Sequence, residues 1–144
     1  MSRTRISRAL RQQVIADFQG RCAYCHTLTA ITGARLVIDH IVPESLGGKT
    51  MRGNLCLACH ACNEFKGMQT QAMDLLTGQW VPLFRPRQDV WSEHFRWSAD
   101  ASRIIGKTAT GRGTIMALNL NHADIVEARR RWALVGWHPP QEDL

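Results

Sequence analysis

Two cysteine pairs, Cys22-Ala-Tyr-Cys25 and Cys59-His60-Ala61-Cys62, enclose an Asp39-His40 dipeptide and Asn54, and Asn63 follows the second pair at once. A Cys-x-x-Cys turn presents two thiolates without strain, and two such turns complete the tetrahedron that a structural zinc ion prefers. A redox function is the alternative, but the thioredoxin pattern uses one motif at a helix start, not two. Cys56 makes a third, overlapping Cys-x-x-Cys with Cys59. Cys59 and Cys62 are the expected partners of Cys22 and Cys25. Cys56 lies between Leu55 and Leu57, where a free thiol behaves as a small hydrophobe. His26 and His60 could each replace a thiolate and are expected as exposed knuckle residues instead.

Assigning four thiolates to zinc leaves a carboxylate, an imidazole and two amides for other work: Asp39, His40, Asn54 and Asn63. Neighbours on a strand point to opposite faces, so Asp39 and His40 can serve one reacting group only near a strand end or bend. Pro43 and the Gly47-Gly48 pair supply such a bend. For an isolated Asp-His pair the simpler reading is a solvated Asp and a partly buried His capping the strand.

These groups need elements to hold them. Ser7 is expected to cap a helix to about Gly20, with Leu10, Val14 and Phe18 on one face and Ile15 alongside. A strand is expected over residues 35–42, ended by Pro43, then a glycine loop, a second short strand over 54–58, and a helix from near Asn63. Residues 69–76 could extend or restart that helix. Beyond Trp80 the texture changes: Trp91, Phe95 and Trp97 suit a small core, 102–106 a short strand, 113–118 a short helix. Asn121 and Asp124 resemble a capped start for a last helix with Ile125, Ala128, Trp132 and Val135 on one face. Arg129, Arg130 and Arg131 would spread around most of that helix, as a solvated face. Residues 1–79 are expected to form the site-bearing domain and 80–144 a C-terminal appendage.

The 144-residue chain carries a net charge of +6, unevenly placed. Residues 1–70 hold nine Lys/Arg against four Asp/Glu, and 71–144 hold nine against eight. Attraction for a polyanion therefore sits on the half with the Cys, His and Asn cluster. Five cysteines, a basic polar start and no long apolar run lead us to expect cytoplasmic residence, with no membrane partner and cysteines serving as metal ligands. Gly48-Lys49-Thr50 and Gly106-Lys107-Thr108 end like a phosphate loop, but Pro43 and Ala101 stand where the upstream glycine is required.

Asp39-His40-Ile41-Val42-Pro43, Gly47-Gly48, Asn54-Leu55 and Cys59-His60-Ala61-Cys62-Asn63-Glu64-Phe65-Lys66 together resemble the HNH endonuclease family, in its four-cysteine zinc subset. The resemblance runs from about Arg21 to Gly67. It implies an α+β fold with a ββα-metal (His-Me finger) core, structural zinc and a small C-terminal α/β appendage. The implied activity is metal-dependent hydrolysis of phosphodiester bonds in DNA, giving 5′-phosphate and 3′-hydroxyl ends. By resemblance His40 is the general base, Asp39 a ligand of a catalytic Mg²⁺ or Mn²⁺, and Asn54 the loop brace that orients the base. Asn63 stands where the family name has its final His, as in the HNH domain of RNA-guided nucleases, and would be the second ligand. Arg35, Lys49, Arg52 and Lys66 are the expected nucleic-acid contacts. A zinc-stapled nucleic-acid-binding module that does not cut is the alternative.

Overall fold

The computed structural model describes residues 5–144. The basic start at 1–4 lies outside them. The chain divides into two compact units, Met1–Thr70 with Arg85–Gln88, and Gln71–Phe84 with Asp89–Leu144.

In the first unit Ser7 Oγ accepts a hydrogen bond from Leu10 N at 3.1 Å and starts helix α1 (Arg8–Asp17). Gln19 and Gly20, at φ 55° and 71°, turn the chain out of it. A one-turn helix α2 (Thr29–Thr32) precedes strand β1 (Val37–His40), which pairs antiparallel with β2 (Leu55–Ala58) in the register Asp39↔Cys56 and His40↔Leu55. Helix α3 (His60–Lys66) follows β2 at once, capped by Cys59. Val14, Leu36, Leu55 and Leu57 form the core, flanked by Leu10, Phe18 and Ile38. Each such aliphatic side chain, fully buried, contributes about 1.5–3 kcal/mol. Ile15 remains 39% exposed.

β1 is shorter than the expected 35–42 because the Asn54 side chain captures both backbone groups of Val42. Between the strands run two short 3₁₀ turns, Glu44–Leu46 and Arg52–Asn54. Gly48 sits where a Cβ would lie 1.7 Å from Val42 O, so only glycine lets the backbone approach this closely.

The expected continuation of α3 through 69–76 does not occur. Gly67 leaves the helix at φ 52°, and Gln69 Nε2 takes the terminal carbonyls of Phe65 and Lys66. Residues 71–82 instead form a hairpin of β3 (Gln71–Asp74) and β4 (Gln79–Pro82). It belongs to the second compact unit.

That unit continues with α4 (Trp91–His94), a hairpin of β5 (Phe95–Trp97) and β6 (Ile104–Gly106), then α5 (Ala109–Leu118) and α6 (Ala123–Leu134). A 3₁₀ turn, Gln141–Asp143, ends it. Trp91, Phe95 and Trp97 are buried, with the Trp91 ring centroid 5.2 Å from that of Phe95 and 5.6 Å from that of Trp97. The α5 helix packs on β3 through Gly113, and Arg112 makes a bidentate pair with buried Asp74 at 2.9 and 3.0 Å. Of the Arg129–Arg131 run, Arg130 and Arg131 are exposed, as a solvated face requires, but Arg129 is not. Arg129 is 1% exposed, donates to Leu120 O and Asn121 Oδ1, and stacks on Trp97. The buried face of α6 runs through Val126 and Arg129, and Val135 is 61% exposed.

Candidate active site and metal centre

Knuckle geometry follows from local hydrogen bonds. Cys22 N donates to Thr27 O, His26 N to Cys22 O, and Ala23 N to Leu57 O at 2.7 Å, which pins the first cysteine turn to β2. Cys59 and Cys62 lie at the N-terminus of α3, where Cys62 N points at Cys59 Sγ. As a result the ligand atoms of Cys22, Cys25, Cys59 and Cys62 all lie within 4.8 Å of one another. Cys25 and Cys59 Sγ are 3.7 Å apart, close to the edge of about 3.8 Å that a tetrahedron with 2.3 Å zinc–sulfur bonds requires. Burial pushes the Cys22 thiol well up from its ordinary range, so a set of four thiolates here needs a cation among them. The donor set therefore fits one thiophilic ion. Cys56 is outside the cluster. Its sulfur lies 3.7 Å from both Tyr24 Oη and Asp39 Oδ2, and burial holds its thiol protonated.

His40 ends β1. Its Nε2 is 2.9 Å from Thr50 Oγ1 and 3.4 Å from Glu44 Oε1, and its side chain is 17% exposed. Asn54 holds the loop that carries both partners. Its Oδ1 accepts from Val42 N at 2.9 Å, and its Nδ2 donates to Val42 O at 3.0 Å and Lys49 O at 2.9 Å.

Asp39 turns the other way, as strand alternation requires. It is 6% exposed, with Tyr24 Oη donating to Oδ2 at 2.9 Å and Lys66 Nζ 3.1 Å from Oδ2 and 3.4 Å from Oδ1. Tyr24 stays neutral because burial, then the nearby Cys56 and Asp39, raise its phenol well above the usual range. Lys66 Nζ also donates to His40 O at 3.0 Å. Asn63 and Lys66 are three residues apart on α3 and so share a face. The Lys66 contacts fasten that face to the end of β1. A carboxylate is a hard donor of the kind Mg²⁺ or Mn²⁺ takes, and on Asp39 the Lys66 ammonium already stands as a cation.

Of the expected phosphate contacts, Arg35 and Lys49 are exposed. The other two are used within the fold. Arg52 forms a bidentate pair with Asp17 at 2.9 and 2.6 Å, and Lys66 is 2% exposed on Asp39. Asp17 also receives Arg87 at 2.8 Å, while Arg87 Nε donates to Leu55 O at 2.7 Å and its guanidinium lies over Phe18. Arg52 and Arg87 hold the Asp17 carboxyl well below the usual carboxylate range.

Sequence reasoning missed Tyr24, Glu44, Thr50 and Arg87, and it read Lys66 as a candidate phosphate contact without the Asp39 pairing that buries it. Lys66 was findable: it falls four residues after Cys62, so a helix that buries that ligand also turns Lys66 inward. Glu44 follows His40 by four residues across Pro43, a spacing without meaning until the 3₁₀ turn is known. Arg87 joins the unit from beyond the β3–β4 hairpin and left no local signal.

The model of the HNH endonuclease family matches residues 22–73. A segment of 58 residues is 41% identical to the CRISPR-associated endonuclease Cas9 of Corynebacterium diphtheriae, covering 40% of this chain and 5% of that protein. No solved structure matches. Among the described residues no helix is long and apolar enough to cross a membrane. The span similar to the HNH endonuclease family, residues 22–73, encloses both knuckles, the Asp-His dipeptide and the braced loop.

Proposed function

We propose that this chain is a metal-dependent endonuclease that hydrolyses phosphodiester bonds in DNA, with His40 as general base in a ββα-metal core stapled by zinc on Cys22, Cys25, Cys59 and Cys62. The observation that carries the reading is the setting of His40. Its Nε2 faces a hydroxyl and a carboxylate, Thr50 Oγ1 at 2.9 Å and Glu44 Oε1 at 3.4 Å, on a loop braced by three Asn54 hydrogen bonds. A binding surface has no need of an imidazole oriented this way.

A carboxylate beside Nε2 favours the tautomer with the proton on that nitrogen, which leaves Nδ1 as the lone pair that accepts a proton from water. Thr50 and Glu44 fix the ring and stabilise the imidazolium that forms. Asn54 acts at one remove by fixing the loop and does not touch the reacting atoms. Asp39 and Asn63 are the residues that would hold a divalent cation. When bound, it supplies positive charge to the phosphoryl and leaving oxygens. Arg35 and Lys49, exposed on the same basic unit, are the phosphate contacts in this proposal.

The test is incubation of purified, zinc-loaded protein with supercoiled plasmid and Mg²⁺ or Mn²⁺, with and without chelator. Chelator-sensitive nicking or linearisation is expected. DNA binding without cleavage across metals and substrates would favour the module that binds and does not cut. An Arg35/Lys49 double alanine variant should flatten the salt dependence of binding, by up to about two in the log–log slope.

A further inference from the structure

We infer that Lys66 is a resident placeholder for the divalent cation, so that the metal enters by exchanging with an ammonium group and not by filling an open site. This rests on the reading of Asp39 as a metal ligand. Lys66 Nζ stands within 3.4 Å of both carboxylate oxygens of Asp39, the position an ion shared by those oxygens would take. It also takes His40 O at 3.0 Å, so the tether reaches the backbone of the base itself. Both side chains are almost wholly buried, at 2% and 6% exposed. A carboxylate this deep needs a counter-charge at all times, and Tyr24 Oη, a neutral donor at 2.9 Å, does not supply one. Lys66 meets that need without metal. Once the ion is on Asp39, two cations would face each other across one carboxylate, and the singly charged, flexibly tethered one gives way.

The site then discriminates by charge density and affinity. If the ion pair is closed nine-tenths of the time or more, apparent metal affinity falls at least tenfold below that of the open carboxylate. Lys66 is accordingly a positioning residue, held on Asp39 and His40 O and 2% exposed in the resting state.

The experiment uses the full chain with its cysteine site filled by zinc. Mn²⁺ binding is measured by calorimetry, and the reactivity of Lys66 toward reductive methylation is read by mass spectrometry. In wild type Lys66 should be protected without Mn²⁺ and reactive at saturating Mn²⁺, and the change should vanish in Asp39→Asn. Lys66→Met, which keeps the stem and removes the charge, should bind Mn²⁺ about tenfold or more tightly. It should also gain more thermal stability from Mn²⁺ than wild type does. Lys66 that stays protected while one Mn²⁺ binds in an Asp39-dependent manner overturns the exchange and leaves the metal site standing. Absence of Asp39-dependent binding in both wild type and Lys66→Met overturns the metal site and the exchange with it. The wild-type labelling is decisive even if Lys66→Met fails to fold.

Discussion

Asn54→Ala removes one side chain and releases three hydrogen bonds at once, to Val42 N, Val42 O and Lys49 O. At about 0.5–1.5 kcal/mol net per bond the sum is roughly 1.5–4.5 kcal/mol. The Lys49 carbonyl is exposed and can rehydrate, whereas the Val42 groups are partly buried, so the lower half of that range applies and the expected cost is about 2 kcal/mol. For an m-value of about 1–2 kcal/mol per molar urea, the midpoint should fall by about 1–2 M. All five tryptophans belong to the second unit, so their fluorescence does not report this transition. Hydrogen exchange of peptides covering 41–54, at fixed zinc, does. Those amides should lose protection before α1 and β2 do. Because the released loop carries Glu44 and Thr50, cleavage should fall while DNA affinity changes little. Asn54→Asp should be no better, since a carboxylate would face the two carbonyls that the amide now serves. Wild-type exchange at 41–54 together with wild-type cleavage in Asn54→Ala would refute the brace.

Gly48→Ala should abolish folding of the first unit, because its Cβ would stand 1.7 Å from Val42 O, whereas Gly113→Ala, whose Cβ would meet Val81 Cγ2 at 2.9 Å and Ala72 Cβ at 3.4 Å, should cost about 1–3 kcal/mol; urea titration of each checks this. Cys59→Ser should lose zinc by elemental analysis and unfold the first unit, as expected where structural zinc supplies roughly 10–16 kcal/mol; Cys56→Ala should keep its zinc and cost only what a small cavity costs. Asp17 titrates below its unfolded value, so its contribution is present in full above about pH 4–5 and is lost as pH falls through that range and below. Asp17→Asn should therefore lower stability at pH 7 and flatten its acid dependence, as read from urea midpoints at pH 3 to 7; an unchanged acid limb would show that the Arg52–Asp17–Arg87 cluster does not contribute.

Elements with strong local signals were legible in the sequence. Ser7 caps α1, the apolar spacing places Val14 in the core, and the two cysteine turns converge on one centre. What could not be read depended on side chains that compete with backbone pairing. Asn54 shortens β1, Gln69 takes the last carbonyls of α3, and the Asp74–Arg112 pair holds a hairpin where a helix was expected. Charge was misjudged for the same reason. A cation in the sequence reads as surface, but Lys66 and Arg129 are buried because a carboxylate or a set of carbonyls meets them from distant segments. In the site, the opposed directions of Asp39 and His40 were legible from strand alternation and their partners were not: Asp39 faces Lys66 and Tyr24, while His40 faces Thr50 and Glu44.

The most direct measurement is plasmid cleavage by wild type and His40→Ala, purified identically, matched for zinc content and DNA affinity, at saturating Mn²⁺. Removal of the proton acceptor alone should lower the cleavage rate by roughly 10²–10⁴. Undiminished cleavage by His40→Ala would contradict the assignment of His40 as the base.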